Sequence, residues 1–193
     1  MALLLSTLNN HVQHALGGSV SSLLDATQIV NEAGRYMYSH PWKFRERPSE
    51  TLDFVADASY VDLPVDFGEL IAYSTSDGLN RGLAFTTFQD LLLKRSQEIR
   101  ATGYYYAAIS YHVVGGTPTS RIDIWPTPTS NEDGALTIFY RAKWVDLSAD
   151  ADTAHVPPYA ESLLIQYVRA FAQGYEEEGM EQRLAAIDSS SMA

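Results

Sequence analysis

The chain has 193 residues with 46% hydrophobic content, enough to bury a sizeable core without covalent staples. It contains no cysteine, which excludes disulfides and thiolate metal sites, and its net charge of −11 argues against a broad basic nucleic-acid face. The acid is uneven: from Asp146 onward there are nine acidic and two basic residues, against fifteen and eleven before it. That distribution suits solubility, a basic partner, or repulsion of a polyanion.

The first residues, Met1-Ala2-Leu3-Leu4-Leu5, are apolar but lack the basic region and apolar length of a secretory signal. No run approaches the roughly 18 apolar residues that a membrane helix needs. The expectation is a soluble protein made in a cytoplasm. Leu4, Leu8, Val12 and Ala15 or Leu16 recur at helical spacing, and Gly17-Gly18 should end that helix. Ser22-Leu23-Leu24-Asp25 has capping-box form and predicts a second helix over residues 22–38. Its apolar stripe is Leu23, Ala26, Val30, Ala33 and Met37, and Pro41 should stop it. The two helices are expected to pair antiparallel across the glycines.

From Glu50 the period changes from helical to two. Thr51-Leu52-Asp53-Phe54-Val55 and Ser59-Tyr60-Val61-Asp62-Leu63 alternate as half-buried strands do, with Ala56-Asp57-Ala58 as the turn. Pro64 marks a strand end or edge. Residues 68–74 and 82–85 read as further strands around a Ser76-Asp77-Gly78 turn. Thr87-Phe88-Gln89-Asp90 caps a short helix continuing through Leu91-Leu92-Leu93-Lys94-Arg95. Residues 104–111, 121–125 and 135–140 complete the strands, with Gly115-Gly116-Thr117-Pro118 as a turn.

Residues 146–156 read as a polar linker, and Pro157-Pro158 opens a closing helix over 158–178. Leu164, Tyr167 or Val168, Phe171 and Tyr175 form its stripe. Glu176-Glu177-Glu178 opposes the negative end of the helix dipole, so either the helix runs on toward Leu184 and Ile187 or the carboxylates meet a basic partner. The expected fold class is α+β: a helical bundle from the N- and C-terminal segments, with an inserted antiparallel β sandwich or barrel-like module. Residues 1–48 and 157–188 form the helical layer, 49–156 the β-rich module with its internal helix, and 189–193 a disordered tail.

Catalytic and ligand signatures are weak. His11 and His14 lie three residues apart, but two imidazoles make a poor metal site without a third ligand. Asp150-Ala151-Asp152 resembles the start of a calcium loop, yet the later glycine and glutamate are missing. There is no Gly-x-Ser-x-Gly elbow, and His40, His112 and His155 are scattered. An acid/base pair of carboxylates would form across the fold and cannot be read from spacing. No phosphate loop or dinucleotide fingerprint appears. Trp42, Trp125, Trp144 and Tyr104-Tyr105-Tyr106 suit either sugar stacking or a core and subunit interface. No catalytic residue, cofactor or metal is expected.

The order of parts resembles the head-to-tail adaptor, or connector, proteins of tailed bacteriophages, especially the tail tubular protein A type of short-tailed phages. The resemblance is carried by Val30-Asn31-Glu32-Ala33, Trp42-Lys43-Phe44-Arg45, Tyr60-x-x-Leu63-Pro64-x-Asp66-Phe67, Ile122-x-Ile124-Trp125-Pro126-x-Pro128 and Phe139-Tyr140-Arg141, in that order between two helical ends. It implies a non-enzymatic virion ring, usually of twelve copies, between portal and tail, with DNA passing through its lumen. It implies a helical layer facing the portal and a β part facing the nozzle, tube or fibres. By position, Tyr175, Glu176, Glu177, Glu178, Leu184 and Ile187 would meet the portal. Trp42, Arg45 and Arg47, in the one locally basic segment, are candidates for contact between copies. The protein would be made in the host cytoplasm and reside at the head–tail interface. The competing expectations are a carbohydrate-binding β module of a tail or surface protein and a hydrolase with paired carboxylates.

Overall fold

The computed structural model describes residues 3–17, 25–76, 82–99, 103–114, 117–174 and 180–191. The chain is α+β and divides into two compact units. One combines residues 1–45 with 143–193, and the other is Glu46–Ala142.

In the first unit, α1 (Leu5–Ala15) buries Leu5, Leu8 and Val12. Leu8 and Val12 belong to the stripe read from spacing, whereas Leu4 is the N-cap and is exposed, Leu5 taking its place in the core. Its leading N–H groups have no side-chain cap. They are met instead by residues 150–152, with Leu5 N–H donating to Asp152 O at 2.8 Å and Ser6 N–H to Asp150 O at 3.3 Å. Gly17 sits at φ +66°, where only glycine is unstrained, and the helix stops there. Gly18 and Ser22-Leu23-Leu24 of the expected capping box lie outside the described residues. The N-cap of α2 (Ala26–Ser39) is Asp25, whose carboxylate accepts from Thr27 N–H at 2.9 Å. The helix ends at His40 in extended geometry, as the residue before Pro41 must.

The C-terminal segment forms two helices, α4 (Glu161–Gly174) and α5 (Met180–Ser191), in place of one ending at 178. A 3₁₀ turn, Pro158–Ala160, precedes α4. The last turn of α5 includes Ser189 and Ser190, which corrects the expectation of a disordered tail from 189. Helix α4 packs against α1, α2 and α5 through Leu164, Tyr167, Val168 and Phe171.

The segment expected as a polar linker belongs to this unit and is anchored to it by two side chains. Leu147 and Ala154 are buried, as is Trp144 just before it. Asn31, on the apolar face of α2, binds it with every polar atom satisfied. Its Oδ1 accepts from Trp144 Nε1–H at 3.1 Å and Leu147 N–H at 2.8 Å, while its Nδ2 donates to Leu147 O at 2.9 Å. The acidic residues that suggested a linker are used locally. Asp146 pairs with Arg35, and Asp152 accepts from Ser148 N–H and Ala149 N–H at 2.7 and 2.8 Å. These bonds, the Ala149 N–H first, hold the Asp152 carboxyl below its ordinary range.

The second unit carries two sheets. The first has strand order β1–β7–β3, from β1 (Glu46–Phe54), β3 (Phe67–Thr75) and β7 (Glu132–Ala142). The second has order β2–β6–β5–β4, from β2 (Tyr60–Asp62), β4 (Gly82–Phe85), β5 (Tyr104–Val114) and β6 (Thr117–Trp125). Pro48 lies in β1, an edge strand, where its missing donor is tolerated. Asp57, at φ +62°, turns the chain between β1 and β2. The two sheets meet through Phe54 and Tyr105, whose rings stand at 90° and 5.7 Å apart.

One pairing corrects the antiparallel expectation. β4 runs parallel to β5, with Gly82 opposite Tyr104 and Phe85 opposite Ala107. Parallel neighbours need a crossover, and α3 (Phe88–Ser96), capped by Thr87 on Asp90 N–H at 3.1 Å, supplies it. Thr117 and Pro118, expected in a turn, already belong to β6. Asp77-Gly78 and Gly115-Gly116 lie outside the described residues.

Candidate functional site

Three groups of side chains stand out, two in the helical unit and one in the β unit. The first surrounds Trp42. After Pro41 the chain makes a 3₁₀ turn, Lys43–Arg45. Trp42 and Phe44 stack with rings 6.3 Å apart and 12° from parallel. Together with Ala160 and Leu163 they line an open cleft of about 340 Å³, bounded by exposed Tyr159, Ser162 and Gln166. None of these residues is charged. Trp42 Nε1 is buried and has no hydrogen-bond partner among the described residues.

The two arginines proposed beside Trp42 have partners within the chain. Arg45 Nη1 donates to His40 O at 2.6 Å, and its guanidinium lies 5.8 Å from the centre of the Tyr38 ring. Arg47 Nε is 3.6 Å from Asp66 Oδ2, and Asp66 also accepts from Tyr140 OH at 2.9 Å. Both side chains are half-buried.

The second group lies at the docking of α5. Tyr175, Glu176, Glu177 and Glu178 lie outside the described residues. Leu184, expected on a partner-facing surface, is 6% exposed, because α5 folds against α4 and turns this side chain into the unit's core. Ile187 is half-buried. Asp188 of α5 is a hub. Its carboxylate accepts from Tyr36 OH at 3.0 Å and from Tyr167 OH, and His40 Nε2 lies 3.4 Å away. Burial and then the hydrogen bond to Asp188 raise the pKa of both tyrosines, that of Tyr167 strongly. Sequence reading missed this hub because its members are far apart in the chain.

Two outcomes follow for α5. Asp188→Ala leaves two tyrosine hydroxyls without their acceptor and should weaken α5 docking by about 1–3 kcal/mol. Hydrogen exchange should then quicken in residues 180–191 while α1 keeps its protection. The raised tyrosine pKa values set the sign of an alkaline effect. Their contribution is fully present below the ordinary pKa of 10.0 and is lost as pH rises through the higher folded values. Fluorescence-monitored unfolding across that range should show stability falling above pH 10, with a smaller fall in Tyr167→Phe.

The third group lies in the β unit. Asp123, 1% exposed on β6, is surrounded by donors: Ser110 Oγ–H, Arg121 Nε at 3.3 Å and Arg95 Nη2 at 3.5 Å. Arg95 also donates to Ser59 O and Ile124 O at 3.1 and 3.0 Å, which ties α3 to β6. His112 Nε2 contacts Ser110 Oγ at 3.0 Å and so belongs to this network. The aromatic residues considered for sugar stacking are dispersed. Trp144 is buried on Asn31, Tyr105 is buried with its OH on Glu132 Oε1 at 2.7 Å, and Trp125 Nε1 donates to Ile99 O at 2.8 Å.

His11 meets Arg169 Nη2 at 3.2 Å, and burial, Arg169 and His14 together lower its pKa. Among the described residues no three His, Asp or Glu side chains cluster as metal ligands, and no helix is long and apolar enough to cross a membrane.

The arrangement comprises an uncharged cleft beside Trp42, helix α5 docked through Leu184 and Asp188, and the buried Asp123 network of the β unit. No curated protein matches the chain. A family model described as SU10 adaptor protein matches residues 4–192, nearly the whole length and both units. The chain therefore belongs to the SU10 adaptor protein family and is a structural adaptor of the bacteriophage virion, associated with portal and tail at the head–tail interface.

Proposed function

We propose that this protein forms a closed ring under the portal, expected to hold twelve copies, that joins portal to tail and lines the DNA channel. The family match over residues 4–192 carries this reading. In it, a bundle of the four helices of the first unit faces the portal, and the β sandwich faces a nozzle or tube protein or the fibres. Residues 175–178, Ile187 and the rest of α5 reach the portal, while Trp42, Arg45 and Arg47 lie toward the neighbouring copy. DNA passes without specific binding, since a wall of net negative charge does not hold a polyanion. The protein performs no catalysis, binds no cofactor and is made in the host cytoplasm.

The test is sedimentation of the portal protein of the same phage with the full chain and with a chain ending at Gly174. Co-sedimentation that needs the deleted residues supports the reading. Equal binding by both forms refutes the portal role of α5. No binding at micromolar concentration and low salt refutes the adaptor ring.

A further inference from the structure

We propose that His11 and Arg169 form an acid-sensitive clasp between α1 and α4, closed while the His11 ring is neutral and opened when it takes up a second proton. The device lies within the helical unit and does not depend on the ring reading above.

The chemistry of the two side chains fixes the direction of their bond. Arg169 Nη2 lies 3.2 Å from His11 Nδ1. A guanidinium keeps its charge and has only donors, so Nδ1 must be the acceptor. The single ring proton is then on Nε2, and the imidazole is neutral. A proton added at Nδ1 removes the acceptor and sets two cations against each other. The charged groups that act on His11 are Arg169 of α4 and His14, one turn along α1. Helix α2 also packs on α1 but contributes no charge at His11, and no carboxylate among the described residues offsets the cations there.

The bond matters because α1 has few polar ties. Leu5, Leu8 and Val12 bury its apolar side, and its first N–H groups rest on the carbonyls of Asp150 and Asp152. Among the described residues, the His11–Arg169 bond is its only side-chain hydrogen bond to another helix. Burial first, then Arg169 and His14, hold the His11 pKa below its ordinary value of 6.5. Neutral His11 therefore contributes fully to the docking of α1 above pH 6.5, and the contribution is lost as pH falls below it toward the lower docked value. Opening of the clasp loosens the helix that carries Leu5, Leu8 and Val12 and so makes an apolar stripe available in acid.

Hydrogen exchange of the full chain tests this, read as protection factors at about pH 7.5 and about pH 5, on either side of the ordinary histidine range. Protection of residues 5–15 should fall about two- to fivefold in acid, the size expected of a solvent-accessible charged contact. Other histidines titrate over the same interval, so the variants carry the assignment. In His11→Gln the titrating ring is gone and the fall in α1 should vanish. In Arg169→Gln, which keeps a neutral donor, the fall should shrink to the part due to burial. Protection of α1 that is the same at both pH values in the wild-type chain overturns the proposal. So does a fall of undiminished size in either variant.

Discussion

Gly34→Ala is expected to destabilise the helical unit strongly. A Cβ at Gly34 would lie 2.3 Å from Trp144 Cε2 and 2.4 Å from Cδ2, inside the contact distance of any carbon pair. The indole cannot swing aside cheaply. Its Nε1–H is held by Asn31 Oδ1, and its ring stands edge-on to Tyr38 at 5.5 Å. Overpacking a closed core costs about 1–3 kcal/mol and occasionally more. Breaking the Asn31 bond adds about 1–3 kcal/mol by leaving buried polar atoms unpaired. A loss of about 2–6 kcal/mol corresponds to a melting temperature lower by roughly 10 °C for a chain of this size. Calorimetry would read it. Trp144→Leu in the same chain should recover part of the loss, since the clash is with the indole; additive losses would show that the account of this contact is wrong.

Asp123→Ala is the corresponding change in the β unit. It removes a carboxylate facing both Arg95 and Arg121, and it leaves Ser110 without its acceptor. Breaking a buried ion pair from one side costs about 3–5 kcal/mol, because the surviving charge keeps its desolvation penalty. Arg95 and Arg121 retain partial solvent access, so the lower half of that range is expected. Asp123→Asn, which keeps the shape and one acceptor, should cost less. Equal losses in the two variants, measured by urea unfolding, would mean that charge contributes nothing at this site.

The sequence was most legible where local chemistry decides structure. The Leu8–Val12 spacing, the glycine stop at Gly17, the proline stop at Pro41 and the Thr87 cap each act within one or two turns, and each appears where expected. What it hid depends on partners far along the chain. Asn31 carried no sign of its structural role, because its three bonds go to Trp144 and Leu147, more than a hundred residues away. Asp146, Asp150 and Asp152 made residues 146–156 look solvated, although Trp144 and Leu147 beside them are buried. The parallel β4–β5 pair was within reach, since strand, helix and strand were all read in order. The regular spacing of short strands suggested hairpins, and the crossover meaning of α3 was passed over. Asp188 gave no signal at all, being a single acid at the end of the expected helical layer.

The same division holds for function. The order of motifs across 193 residues pointed to an adaptor, and the family match spans that order. Side-chain placement was not legible: Leu184 packs inward and Trp42 lies beside α4, both set by contacts between distant helices.

The most direct measurement is electron cryomicroscopy of the head–tail junction in the intact virion, at a resolution that separates helices from sheets. The account predicts one closed ring of this chain between portal and tail, its helical unit toward the portal and its β unit toward the tail. Finding the chain elsewhere in the particle, or as isolated modules on fibres, would contradict it.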